Sequence, residues 1–171
     1  NVVLITGGGS GMGREAARRF AAEGATVALF DVNAAGMAET VGTFDSIHSW
    51  TVDMTDFSAV CAAVRAVEEK LGPVERLYNC AAIMPFGLLV EQDNAIIHKQ
   101  MAINYGGLVN ITQAVLPGML QRGHGDFVSF ASMAAVIPML YTGAYTASKF
   151  AVLAFTETLY HENMNSGIRF A

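Results

Sequence analysis

Two kinds of apolar pattern alternate along the chain. Short segments that read as strands recur at Val2-Val3-Leu4-Ile5, Ala25 to Phe30, Ile47 to Val52, Arg76 to Cys80, Phe127 to Ser132 and Ile168 to Ala171, the first two of them apolar runs. Between them, apolar residues return at helical spacing, as in Met12, Ala16 and Phe20, in Val60, Val64, Val67 and Leu71, and in Leu108, Ile111, Val115 and Met119. The runs predict strands buried on both faces, and the periodic stretches predict helices packed on them. Local punctuation sets the helix bounds. Gly24 closes a helix over Arg14 to Glu23, Thr55 or Asp56 caps one that Gly72-Pro73 stops, and a long helical region covers Asp93 to Gln121. A last helix runs from about Ala144 to Met164 and stops near Gly167, while a short one over Asn33 to Val41 is diluted by Gly36 and Gly42.

Strands alternating with helices in this way predict a doubly wound parallel α/β sheet with right-handed crossovers. Ligands of such sheets lie at the carboxyl ends of the strands. Those ends carry Thr6 to Gly13, Asp31, Asp53, Asn79 to Ala82 and Ser132. Five strand ends therefore converge on one crevice.

The 171 residues suit one domain, with no repeat or low-complexity linker. With 53% hydrophobic and 15% charged residues the chain reads as globular, and a net charge of −5 argues against a nucleic-acid partner. Four histidines and two cysteines, Cys61 and Cys80, are scattered without the close pairs of zinc sites, so no metal is expected. Buried thiols in a reducing, cytoplasmic compartment are expected instead. Gln100 to Gln121 and Phe127 to Ser148 lack charge, but internal Asn, Gln, Ser, Pro and Gly residues argue against a membrane span.

The first crevice segment is strand, glycine loop, helix. Glycines let a ligand approach the backbone, and a helix N-terminus offers unpaired amides with a partial positive charge, so a phosphate is the natural guest. A Walker loop is excluded because Arg14 and Glu15 follow Gly13 where Lys-Ser/Thr is needed. The usual three-glycine dinucleotide fingerprint also fails, since Met12 or Arg14 falls where a glycine is required. The pattern that fits is Thr6, Gly7, Gly11 and Gly13. Eighteen residues past Gly13, Asp31 can accept both hydroxyls of an adenosine ribose and would repel a 2′-phosphate, favouring NAD over NADP. A plain tight turn is the alternative reading of the loop by itself.

Tyr145 and Lys149 stand four apart on one helical face. A phenol that ordinarily ionises near pH ~10 needs about 4 kcal/mol of help to act as a base near pH ~7. A positive charge at ~4 Å supplies about that much at an effective dielectric of ~20. Thirteen residues earlier, Ser132 can hold a substrate oxygen. Each motif alone also reads as an ordinary surface pair or turn residue. A serine hydrolase is excluded because Phe130 to Ala134 lacks both glycines of a nucleophile elbow.

Together these residues resemble the short-chain dehydrogenases/reductases over essentially the whole chain. The resemblance is carried by the loop Thr6 to Gly13, Asp31, Asp53, Asn79-Cys80-Ala81-Ala82 in place of Asn-Asn-Ala-Gly, Asn104, Ser132, and Tyr145 with Lys149. It implies a Rossmann-like three-layer α/β/α domain over 1–171, lacking the family's C-terminal part. It implies Tyr145 as general acid/base, and Lys149 as the residue that binds the nicotinamide ribose and activates the tyrosine. By the same resemblance Ser132 orients the substrate oxygen and Asn104 holds a water in a proton relay. Thr6, Gly7, Gly9, Ser10, Gly11, Met12, Gly13, Asp31, Asp53, Met54, Asn79, Ala81, Tyr145 and Lys149 would form the cofactor site, with Asp53 on the adenine amine and Asn79 bracing the strands. The helices of Asp93 to Gln121 and Tyr145 to Met164 look like those that pair subunits, implying a homodimer or homotetramer.

The function expected is hydride transfer between NAD and a secondary alcohol or ketone. Ile83 to Phe86 and Met133 to Tyr141 would wall an apolar substrate body, although the same residues read equally as core or subunit contact. A non-catalytic dinucleotide-binding or interaction protein on the same scaffold is the alternative.

Overall fold

The computed structural model describes residues Asn1–Ala171. Six parallel strands form one sheet in the order β3-β2-β1-β4-β5-β6. The strands are β1 (Val2–Thr6), β2 (Thr26–Asp31), β3 (Ile47–Thr51), β4 (Val74–Asn79), β5 (Gly125–Ser129) and β6 (Ile168–Phe170). The helices are α1 (Gly11–Ala22), α2 (Ala34–Val41), α3 (Phe57–Leu71), α4 (Asn94–Met101), α5 (Gly107–Arg122) and α6 (Gly143–Glu162). The order reverses between β1 and β4, and the crevice opens at their carboxyl ends.

Side chains of β1 alternate between two cores. Val2 and Leu4 join Phe30, Leu77, Phe127 and the inner faces of α3 and α5. Val3 and Ile5 join Leu29 and the smaller layer under α1 and α2. Burial on both sides is why β1 reads as an unbroken apolar run.

Three sequence expectations are revised at their edges. Helix α1 begins at Gly11 rather than Arg14, which places Gly11 and Gly13 in its first turn. The region Asp93 to Gln121 is two helices joined through a π-helical turn, Ala102–Gly106. Strand β5 ends at Ser129, opposite the last residue of β4, so Ser132 lies beyond it and caps a 3₁₀ turn, Met133–Ala135. The Ser132 hydroxyl accepts the Ala134 N–H at 3.1 Å, a local bond that competes with extension of the ladder. No helix is long and apolar enough to cross a membrane.

At the end of the sheet opposite the crevice, Asp126 on β5 accepts from Arg76 on β4 and, at 2.8 Å, from Arg169 on β6. The Arg169 hydrogen bond, helped by Arg76, holds the Asp126 carboxyl below the ordinary carboxylate range. A lowered native value means the stabilisation is complete above the unfolded value, near ~3.9, and is lost as pH falls through the native one. Asp126→Asn should lower the melting midpoint by about 2–4 °C at pH ~7. In melts taken from pH ~7 to ~3, the gap from the parent protein should close at the acid end.

Candidate active site

The loop after β1 folds back on the sheet before it reaches α1. Phe30 O accepts the amides of Gly7 at 2.8 Å and Gly8 at 3.3 Å, so these two are spent on β2. The first helical bond runs from Arg14 N–H to Ser10 O at 3.1 Å. The amides of Gly11, Met12 and Gly13 precede that bond and form the open N-terminus of α1. Gly13 must be glycine, because a Cβ there would lie 2.2 Å from Gly7 O.

These amides face a cleft of about 350 Å³. Of the residues expected to bind a cofactor, Gly7, Ser10, Gly11, Met12, Gly13, Asp31, Asp53, Met54 and Ala81 line it. Thr6, Gly9 and Asn79 stand behind, and Tyr145 and Lys149, also expected to touch the cofactor, are not among the residues that line it. Thr6 Oγ1 donates to Asn79 Oδ1 at 2.7 Å and accepts from Ala81 N–H at 3.1 Å, bracing β1 against β4. Val32, Val52, Cys80, Ala82, Ile83 and Ile103 also line the cleft and were not among the expected cofactor residues. Cys80 and Ala82 fall within the motif already noted, whereas Ile103 reaches the cleft from the π turn, which leaves no mark in the periodicity.

Both carboxylates are held by their own loops. Asp31 Oδ2 accepts from Gly9 N–H and Oδ1 from Asn33 N–H, each at 2.9 Å. Asp53 Oδ1 accepts from the Thr55 N–H at 2.9 Å and hydroxyl at 2.8 Å. The Thr55 backbone bond leads in holding Asp53 below the usual carboxylate range. Open helix amides at one point and oriented acids at two strand ends fit the diphosphate and hydroxyls of a dinucleotide.

The second cluster gathers where β5 meets α6. Lys149 is 5% exposed, and its Nζ donates to Phe130 O at 2.6 Å, two residues before Ser132. The ammonium lies 5.7 Å from the centre of the Tyr145 ring. Burial lowers the Lys149 pKa, and burial raises the neighbouring Cys80 thiol to about 12, so the residue that replaces asparagine beside the cleft is an uncharged thiol. Tyr145 is half-buried in the first turn of α6. Because the Ser132 oxygen acts only as an acceptor within the chain, its proton is available to a ligand oxygen.

Asn104 sits in the π turn, 1% exposed. Its Oδ1 accepts from Ile83 N–H at 2.8 Å, and its Nδ2 donates to Ile83 O at 3.0 Å and to Ser148 Oγ at 2.9 Å. The side chain is therefore a strut between the loop after β4 and α6. Ser148, missed by sequence reasoning, completes it by donating to Tyr145 O at 2.7 Å. Its only signal is a small polar residue on the inward face of α6, next to Lys149.

The chain matches the short chain dehydrogenase family model over residues 1–171. It is 36% identical over 166 residues to a 2-dehydro-3-deoxy-L-rhamnonate dehydrogenase (NAD(+)) of Sphingomonas sp. strain SKA58, covering 96% of this chain and 67% of that enzyme. It is 33% identical over 165 residues to estradiol 17-beta-dehydrogenase 11 of Pongo abelii, covering 94% of this chain and 55% of the relative. A short chain dehydrogenase/reductase from Burkholderia phymatum, solved in complex with NAD, superposes with a TM-score of 0.95 at 31% identity, over all of this chain and 63% of the other. The chain thus spans roughly half to two thirds of the length of these relatives. Fold, motif geometry and the match over every residue agree that this chain belongs to the short-chain dehydrogenase family.

Proposed function

We propose that the chain forms the cofactor-binding and catalytic part of an NAD-linked dehydrogenase acting on a secondary alcohol or its ketone. The observation that carries this reading is the Tyr145 and Lys149 pair, anchored to Phe130 beside a cleft built from helix amides and strand-end acids. The α1 amides with Asp31 and Asp53 would hold NAD, which would supply the hydride acceptor for the carbinol carbon. The Tyr145 oxygen takes the hydroxyl proton, and the buried Lys149 ammonium stands beside its ring. Ser132 donates its free proton to the substrate oxygen and fixes its position. The Asn104 side chain is committed to Ile83 and Ser148, so its part is to hold the loop after β4 against α6.

The charged side chains that line the cleft, Asp31 and Asp53, are both acidic, which supports NAD over NADP. Arg14 is tied behind the loop to Gly9, Gly36, Thr40 and Glu39 and faces no 2′-phosphate. Exposed apolar residues on the loops after β4 and β5, including Met84, Phe86, Met133, Ile137 and Leu140, support a substrate with an apolar body. Relatives named for estradiol and for 2-dehydro-3-deoxy-L-rhamnonate show that one scaffold serves unlike substrates, so these loops decide. Exposed Phe150 and Tyr160 on α6 favour pairing into a homodimer or homotetramer, and two free cysteines suit a reducing cytoplasm.

The test uses the full-length protein with NAD or NADP and a series of secondary alcohols. NAD should be preferred by about tenfold or more, given a carboxylate at the ribose. Asp31→Ser should erase that preference, and kcat/KM should rise with the apolar length of the alcohol. Equal use of both nucleotides by the parent protein would overturn the cofactor assignment. NAD binding without turnover across the series would leave the non-catalytic scaffold.

A further inference from the structure

In the sequence Arg14 opens a helix and breaks two phosphate-loop patterns, and α2 is a helix weakened by glycine. Joined in the structure, they form a buttress behind the nucleotide loop. The Arg14 guanidinium donates through Nη2 to Gly9 O at 2.6 Å and to Gly36 O at 3.2 Å, and through Nε to Thr40 Oγ1 at 3.1 Å. Glu39 Oε2 pairs with the same Nη2 at 2.9 Å. The fully buried Thr40 hydroxyl donates to Gly8 O at 2.7 Å, with Gly36 O at 3.0 Å. Two consecutive carbonyls of the loop are thus turned back towards α2. Gly36 lets the helix come this close, since a Cβ there would lie 2.5 Å from Gly9 O.

A trans peptide is planar, so turning its carbonyl one way sends the N–H of the next residue the other way. With Gly8 O held by Thr40, the Gly9 N–H must point away from α2, and it donates to Asp31 Oδ2 at 2.9 Å. With Gly9 O held by Arg14, the Ser10 N–H is likewise directed away from α2, and Ser10 lines the cleft. The two ties together therefore set both the ribose acid and a loop amide at the start of α1.

We infer that Arg14 and Thr40 are positioning residues for the dinucleotide, acting through the Gly8 and Gly9 peptides and not by contact. The inference rests on the cleft being a dinucleotide site. The contribution is one of geometry, because Glu39 already neutralises the guanidinium. Lysine keeps the charge but cannot supply the planar fork. Arg14→Lys should therefore behave like a loss, and Thr40→Val likewise, whereas Thr40→Ser keeps the hydroxyl and should rescue.

The experiment is calorimetric titration of the full-length protein and these three variants with NAD and with ADP-ribose, alongside steady-state kinetics. Arg14→Lys and Thr40→Val should each weaken both ligands by about tenfold, in line with the loss of one or two hydrogen bonds, one of them charge-assisted. KM for NAD should rise by the same factor with kcat at saturating NAD held, and Thr40→Ser should bind within about twofold of the parent. Thr40→Val removes a single hydroxyl and decides the matter should Arg14→Lys fail to fold. Parent-like affinity in Thr40→Val, or weakening that Thr40→Ser shares, overturns the inference while leaving the dinucleotide site intact. A parent protein that binds neither ligand overturns the site and the inference together.

Discussion

Tyr145→Phe is expected to cut turnover by about 10²–10⁴-fold, the range supplied by a positioned acid or base, while leaving NAD affinity unchanged. The substitution removes one oxygen and keeps the ring beside which the Lys149 ammonium lies at 5.7 Å, so packing at the head of α6 survives. Tyr145 is not among the residues lining the nucleotide cleft, and Lys149 keeps its bond to Phe130 O. Rates followed by NADH absorbance should collapse in kcat, and titration with NAD should match the parent. An unchanged rate removes Tyr145 from the chemistry. A matching loss of NAD affinity would mean that the phenol supports the cleft and not the proton transfer.

Gly13→Ala is expected to strike stability and cofactor binding at once. The added carbon would lie 2.2 Å from Gly7 O and 2.8 Å from Gly7 C, both backbone atoms of the loop that α1 packs on. No rotamer relieves such a clash, so α1 must back away from β1 and carry its free amides with it. A loss of about 3 kcal/mol or more is expected, which lowers the melting midpoint by about 6–12 °C for a chain of this size. Millimolar NAD should raise the midpoint of the parent protein by linkage and leave that of the variant where it was. A variant that melts within about 2 °C of the parent and still gains from NAD would show that α1 does not need to lie so close.

What the sequence revealed and what it hid follow from the range of the interactions. Strand β1, the glycine spacing and Asp31 were legible because strands buried on both faces read as solid apolar runs and the loop signals are local. Tyr145 and Lys149 were legible because one helical turn separates them. Thr40 and Ser148 were not, since the partners that give them their roles, Arg14 and Gly8 for Thr40 and Asn104 for Ser148, lie 26 to 44 positions away and leave no periodic trace. The π turn was hidden for another reason. The stripe Leu108, Ile111, Val115 and Met119 keeps its own rhythm after the turn, so Asp93 to Gln121 reads as a single helical region. Strand β5 was drawn too long because Phe130 and Ala131 continue the apolar run past the point where β4 stops offering partners. Gly36, taken as a weakness of α2, is the residue that lets α2 hold the loop.

The central place of β1 also shapes how the chain comes off the ribosome. Its left-hand neighbour β2 follows within a few tens of residues, but the right-hand neighbour β4 begins only at Val74. At ordinary synthesis speeds that leaves the right edge of β1 without its partner for about 4–14 s. During that interval the unpaired edge of β1 is open to pairing with a strand from another chain.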